Sequence, residues 1–153
     1  MQHSRFEDPS LPVCTPGSKK CGMGCMLCRD ILDVNSLYFP NSGIHFEIKT
    51  NMDCTSRNLI YATLCKKCSQ NYIGETVNLR QRMSKHRFDS SSLANASQDV
   101  SKHLYECGQG FWVCPIYKVK VENKITRLVI EDRLIKMLKP DLNRDQRNIL
   151  QLL

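Results

Sequence analysis

The spacing of the cysteines constrains this chain more than any other feature of its sequence. Cys21, Cys25 and Cys28 are tightly clustered, Cys54 stands alone, Cys65 and Cys68 form a CxxC, and His103 and Cys107 lie one helical turn apart. Short-spaced ligand pairs drawn from separate stretches of chain are the pattern that closes a tetrahedral metal site. Met1-Gln2-His3-Ser4-Arg5 lacks the basic stub and apolar stretch of a secretory signal. A reducing, intracellular setting is therefore expected, and disulfides are the weaker reading of the nine cysteines. The spacing predicts one zinc site at Cys21, Cys25, Cys28 and Cys54, with Cys14 or His45 as substitutes, and a second at Cys65, Cys68, His103 and Cys107. Free buried thiols are the alternative at both places, and Cys114, in a strand-like stretch, reads as a core thiol.

The organisation follows from these clusters. Residues 1–20 carry Pro9, Pro12, Pro16 and Gly17 without apolar periodicity and read as a flexible arm, and residues 145–153 read as a C-terminal tail. Residues 21–57 read as a cysteine-rich, zinc-binding module with one alternating strand-like piece, Ile44–Ile48, and too little apolar content to hold together without a staple. From Asn58 the texture changes. Leu59–Cys65 reads as a buried strand, Lys66–Gln70 as a turn and Asn71–Gly74 as the returning strand. Thr76 is the expected N-cap of a helix over Val77–Arg87. A Ser-rich loop at 89–97, a short helix at Val100–Tyr105, a strand at Val113–Val119 and a helix at Lys124–Leu138, stopped by Pro140, complete the order β-β-α-α-β-α. Such an order predicts an α/β (α+β) domain over 58–144, with a small, mostly antiparallel sheet flanked by helices. With 153 residues, 41% of them hydrophobic, the chain can bury a core, and the absence of an apolar run near twenty residues excludes a spanning helix. An excess of 22 basic over 15 acidic residues, net +7, favours a polyanionic partner, either nucleic acid or an acidic membrane face.

Two helices carry residues of chemical interest. In the first, Leu79, Arg82 and His86 share a face, with Leu79 anchoring it to the core. The alternative is an ordinary solvated basic face, as expected for Arg80, Lys85 and Arg87. In the last helix, Leu128, Ile130, Leu134, Ile135, Met137 and Leu138 form one broad apolar arc, with Asp132, Arg133, Lys136 and Lys139 opposite. Glu131 falls inside the apolar arc, where a carboxylate needs a partner, a hydrogen-bond network or a cation. An edge glutamate paired with a lysine is the plainer reading. A buried acid facing an arginine and a histidine suits phosphodiester chemistry.

Taken in order, Leu59-Ile60-Tyr61, Tyr72-Ile73-Gly74, Leu79-Arg80-Gln81-Arg82, His86, Glu131 and Asn143 resemble the signature of the GIY-YIG endonucleases over roughly residues 58–144. Leu59 stands where the name-giving glycine would be. Cys65 and Cys68 between the two tripeptides, with Cys54 just before them, are similar to the endonuclease of Penelope-like retroelements. That group also tends to lack the first glycine and carries an upstream cysteine-rich stretch like Cys21–Cys28. In such elements the nuclease follows a reverse transcriptase, so the resemblance makes this chain an excised domain or a stand-alone descendant, with a reverse transcriptase as a candidate partner. It implies nicking of DNA with one Mg²⁺ or Mn²⁺ on Glu131, with Arg82 holding phosphate oxygens. A tyrosinate-like Tyr61, helped by His86 or Tyr72, would take the proton of the attacking water, and Tyr72 would orient water or phosphate. Asn143 would either orient the site or cap the loop after Pro140. Zinc would be structural, and the setting nuclear. Two other readings stay open, a catalytically silent nucleic-acid-binding module and a zinc-scaffolded protein-interaction adaptor.

Overall fold

The computed structural model describes residues 15–96 and 98–143. Its elements are β1 (Gly17–Ser18), β2 (Ser36–Phe39), β3 (Ile44–Glu47), β4 (Asn51–Met52), β5 (Arg57–Cys65), β6 (Asn71–Asn78), α1 (Leu79–Asp89), α2 (Asp99–Cys107), β7 (Phe111–Lys118) and α3 (Lys124–Leu138). No helix among the described residues is long and apolar enough to cross a membrane.

After Arg57, β5 contains no charged residue and is buried over nearly its whole length. A strand of that kind belongs at the centre of a covered sheet. It lies between β6 and β7, antiparallel to both. Tyr61 of β5 faces Gly74 of β6 across one ladder and Pro115 of β7 across the other. Pro115 has no N–H to give, and the β5–β7 register shifts at Ile60/Tyr61, next to that gap. The α/β expectation with a small antiparallel sheet is met, and α1 and α3 both pack on β5 and β6.

Both edges of this sheet are covered, which is how a small sheet avoids pairing with another chain. Along β7, Leu32 donates to the Val113 carbonyl and Val113 donates to that of Asp30, each at 2.8 Å. Lys66, at the end of the hairpin strand, reaches Asp30 at 2.6 Å. The cysteine-rich segment is thereby docked on β7. Along β6, Asn71 N–H donates to Asp141 Oδ2 at 3.1 Å, and Leu142 N–H donates to the Asn71 carbonyl at 2.9 Å. Asn143 then grips Ile73 at two points, accepting from its N–H and donating to its carbonyl, both at 2.8 Å.

Several boundaries differ from the sequence reading. β6 continues to Asn78 rather than stopping at Gly74, because Thr76 and Asn78 still pair with Leu59 and Arg57. The helix therefore begins at Leu79 and not at Val77, and its N-cap is Asn78, whose side chain accepts from Gln81 N–H. Thr76 does not cap it. Its buried hydroxyl accepts from Asn78 N–H at 3.0 Å and so shapes the turn from strand to helix. In α3, Met137 is exposed rather than part of the apolar arc, while Arg127 is buried. The buried face runs through Arg127, Leu128, Glu131, Leu134 and Leu138, which repeat at three- and four-residue steps. Of the flexible arm expected at 1–20, Gly17–Ser18 instead pair in parallel with Asn51–Met52, and residues 1–14 lie outside the described residues, as does the tail from 144 onward.

Gly74 is required by its neighbour. A Cβ there would sit 2.4 Å from Tyr61 Oη and 2.6 Å from its Cζ. Gly74→Ala is expected to destabilise the domain by about 1–3 kcal/mol, the usual cost of overpacking, and to lower the urea midpoint accordingly. An unchanged midpoint would mean that Tyr61 is not held against the β6 backbone.

Candidate active site and metal centres

The strand register places the aromatic part of the site. Thr63 faces Tyr72 and Tyr61 faces Gly74, so Tyr61 and Tyr72 are diagonal neighbours on adjacent strands. Helix α1 brings His86 against both. The ring centroids of Tyr61 and Tyr72 are 6.4 Å apart, and His86 stands 5.8 Å from each. Tyr61 is fully buried, and its hydroxyl lies 2.8 Å from His86 Nε2. Burial holds His86 down, to a pKa of about 4, and the positive charge of Arg82 adds to the effect. His86 is thus a neutral imidazole near pH 7, and its Nε2 shares the hydrogen bond with the Tyr61 hydroxyl.

The expected tyrosinate at Tyr61 is not what the surroundings favour. Burial raises its pKa well above the ordinary value, Tyr72 and the charge of Glu131 push the same way, and Arg82 opposes them without prevailing. Tyr61 is a phenol in this site. Arg82, half-buried on α1, lies close enough to Tyr61 to interact with its oxygen. Although burial works against its charge, Tyr61 and Glu75 keep its pKa above the ordinary value.

Glu131 is only 2% exposed and lies on the face of α3 that packs on β5 and β6. Its charge is felt at Tyr61, which puts the two within electrostatic reach of each other. The donor set fits a divalent cation held by one carboxylate and completed by water and substrate phosphate, the habit of Mg²⁺. Asn143 does not join the group. Its contacts are with the Ile73 backbone, so it sets the strand that presents Tyr72 and Gly74, and it does not cap the loop after Pro140.

A buried pair next to the site went unread in the sequence. Arg127 Nε donates to Glu75 Oε1 and its Nη1 to Asn58 Oδ1, both at 2.8 Å. Asn58, at a positive φ of 55°, also donates through Nδ2 to the carbonyls of Val119 and Val121. This network ties the start of β5, the middle of β6, the chain just after β7 and the turn of α3 preceding Glu131. The available signal was spacing: Arg127 stands four residues before Glu131 on the same helix face.

Both predicted thiol clusters assemble. Within each, one ligand atom per residue lies within 4.8 Å of all the others. In the first, the Sγ separations from Cys28 are 3.5 Å to Cys21 and 3.7 Å to both Cys25 and Cys54. Sulfurs bound tetrahedrally at Zn–S ~2.3 Å stand about 3.8 Å apart, so the cluster is of the right size. In the second, His103 Nε2 lies 3.1 Å from Cys68 and 3.5 Å from Cys107, with Cys65 completing the group. The eight described cysteines are all free thiols. Burial raises the Cys25 thiol, but Arg80 and a backbone N–H outweigh it and bring the pKa down to about 6. His45 is not a ligand; it stacks on Tyr38 across the β2–β3 hairpin, with centroids 4.5 Å apart. Cys14 lies outside the described residues. Cys114 is a core thiol, pushed by burial to about 12.

The state of His86 has a consequence for stability. The unfolded chain binds its proton near pH 6.5, the folded site only near 4, so stability is complete above 6.5 and falls as the pH drops through that window. The loss expected from this one residue is roughly 3 kcal/mol. Urea titrations at pH 7 and pH 4.5 should show it as a difference between the parent and His86→Gln, which carries no titrating group. Identical pH dependences would contradict a buried neutral imidazole.

A family model described as the GIY-YIG catalytic domain matches residues 57–145, more than half of the chain. No curated protein and no solved structure matches it. The matched segment begins at β5 and takes in both tyrosines, Arg82, His86, Glu131 and Asn143. The chain belongs to the GIY-YIG family, whose domains are metal-dependent nucleases acting on DNA.

Proposed function

We propose that this protein is a DNA endonuclease that nicks its target by hydrolysis with one divalent metal. We further propose that it comes from a Penelope-like retroelement, either as an excised domain or as a stand-alone descendant. The observation that carries the nuclease reading is the 2.8 Å hydrogen bond between a buried Tyr61 phenol and a neutral His86, with Arg82 and the enclosed Glu131 in electrostatic reach. A purely binding module has no need of a buried carboxylate within electrostatic reach of a phenol that is hydrogen-bonded to a neutral imidazole. The Penelope-like origin is supported by Leu59 at the first glycine position and by Cys65 and Cys68 between the two tripeptides. The upstream Cys21–Cys28 cluster supports it too. A reverse transcriptase is then the partner to look for, and the nucleus the place of action.

In this mechanism the attacking water is hydrogen-bonded to Tyr61 Oη. As its oxygen forms a bond to phosphorus, the water gives a proton to Tyr61, which passes its own to His86 Nε2. The phosphorus–O3′ bond breaks, and the 3′-oxygen takes up a proton from solvent. Arg82 holds the non-bridging oxygens, where its fixed planar donors meet the charge that grows in the transition state. Tyr72 orients the water or the phosphate. Glu131 would hold the divalent cation, which would neutralise charge on the phosphate and the departing oxygen.

Purified protein with Mg²⁺ or Mn²⁺ should convert supercoiled plasmid to nicked circles. Arg82→Ala or Glu131→Ala, with fold retained, should reduce the rate by about 10²-fold or more. Equal rates in all three proteins would overturn the assignment, and DNA binding without cleavage by the parent would favour the silent module.

The two thiol clusters are assigned to structural zinc, one ion at each. Metal analysis of protein purified under reducing conditions should find both ions. Cys28→Ser, which removes the residue at the centre of the first cluster, should lose one ion and melt the docked module. Full zinc content in that variant would contradict the assignment.

A further inference from the structure

Next to the candidate active site, between α1 and the start of α3, an open cleft of about 270 Å³ runs along β6. Its walls include Glu75, Gln81, Arg82, Lys85, Lys124 and Arg127. Four cations thus face one carboxylate. Glu75 and Arg127 satisfy each other, Arg127 being further engaged by Asn58. What remains is Arg82 with two largely exposed lysines. Lys85 makes one contact with Asp89, on its own helix, at 3.0 Å, and Lys124 reaches Glu75 only at 4.0 Å.

Two features give this charge a direction. Arg82 and Lys85 are three residues apart on α1 and therefore share a helix face. Lys124 is the first residue of α3, a fifteen-residue helix with no acid in its first turn. The positive end of the α3 dipole therefore opens at the same cleft. Lys49 and Lys136, exposed and ion-paired like Lys85, do not border the cleft.

We infer that this cleft binds a backbone phosphate of the DNA strand being cut, one neighbouring the scissile phosphate. The inference rests on the nuclease reading, since Arg82 is shared: it lines the cleft and lies against Tyr61. A strand whose scissile phosphate meets Arg82 and Tyr61 continues between Lys85 and Lys124, with Gln81 as an added donor. The contribution of Lys85 and Lys124 is independent of base sequence, because it comes from charge meeting phosphate. The cleft sets the register of the strand across the site, and the chemistry stays with Tyr61, His86, Arg82 and Glu131.

The test is the salt dependence of binding to a short duplex oligonucleotide, measured in Ca²⁺ with zinc retained, so that the result does not require cleavage. The double variant Lys85→Ala/Lys124→Ala is compared with Lys49→Ala/Lys136→Ala, which removes the same charge elsewhere. The cleft variant should lower the slope of log K against log salt by about 1–2 and weaken binding about tenfold or more, while the control retains the parent slope. Inorganic phosphate at millimolar concentration should not reproduce the difference, since the ligand is a phosphate held within a strand. Equal slopes for the two variants, or a parent that does not bind the duplex, would overturn the cleft assignment. A parent that binds with a cleft-dependent slope but never cleaves would keep the cleft and overturn the nuclease.

Discussion

Tyr61 can occupy the middle of the sheet only because the residue facing it has no side chain. Its ring fills the space over Gly74, and that close approach fixes where the hydroxyl ends up. Once there, a phenol removed from water needs a hydrogen-bond partner, and His86 supplies it from α1. The imidazole is buried in turn, so it stays neutral and offers a lone pair instead of a second proton. The site's chemistry is therefore a consequence of packing: a glycine admits a tyrosine, the tyrosine demands a partner, and burial keeps that partner unprotonated.

The remainder of the chain holds this arrangement in register. Asn143 fixes the backbone of Ile73 between Tyr72 and Gly74. Arg127, Glu75 and Asn58 lock the turn of α3 that precedes Glu131 to the sheet. The cysteine-rich module covers β7, and through Arg80 it also touches α1, whose Nη2 approaches Cys21 Sγ at 3.7 Å. A structural metal in that cluster would thus bear on the helix that carries Arg82 and His86, without itself touching the reacting groups. The second cluster joins the β5–β6 turn to α2.

Much of this was legible in the residues alone. Paired cysteine spacings announced both clusters, because few arrangements besides a tetrahedral site place sulfur at such intervals. The apolar run Leu59–Cys65 announced a buried strand, and the arc of α3 announced Glu131 as an enclosed acid. What could not be read depended on contacts between distant segments. Thr76 and Asn78 are both acceptable caps, and only the continued pairing of β6 with β5 decides between them. Arg127 looks like any surface cation until Glu75 and Asn58 are brought to it. Asn143 offers no sign in sequence that its amide will imitate a neighbouring strand. The charge state of Tyr61 is not legible for the same reason, since desolvation is set by what surrounds the ring and not by the motif that names it.

The central claim is that the Tyr61 hydroxyl, backed by His86, handles the proton of the attacking water. The most direct test is the single-turnover rate of DNA cleavage by Tyr61→Phe, which keeps the ring over Gly74 and removes one oxygen. With the fold confirmed by an unchanged urea transition and parent affinity for DNA, the rate should fall by about 10²–10⁴-fold, the range of general acid–base catalysis. A Phe variant that cleaves at the parent rate would contradict the account and move the proton transfer to another group.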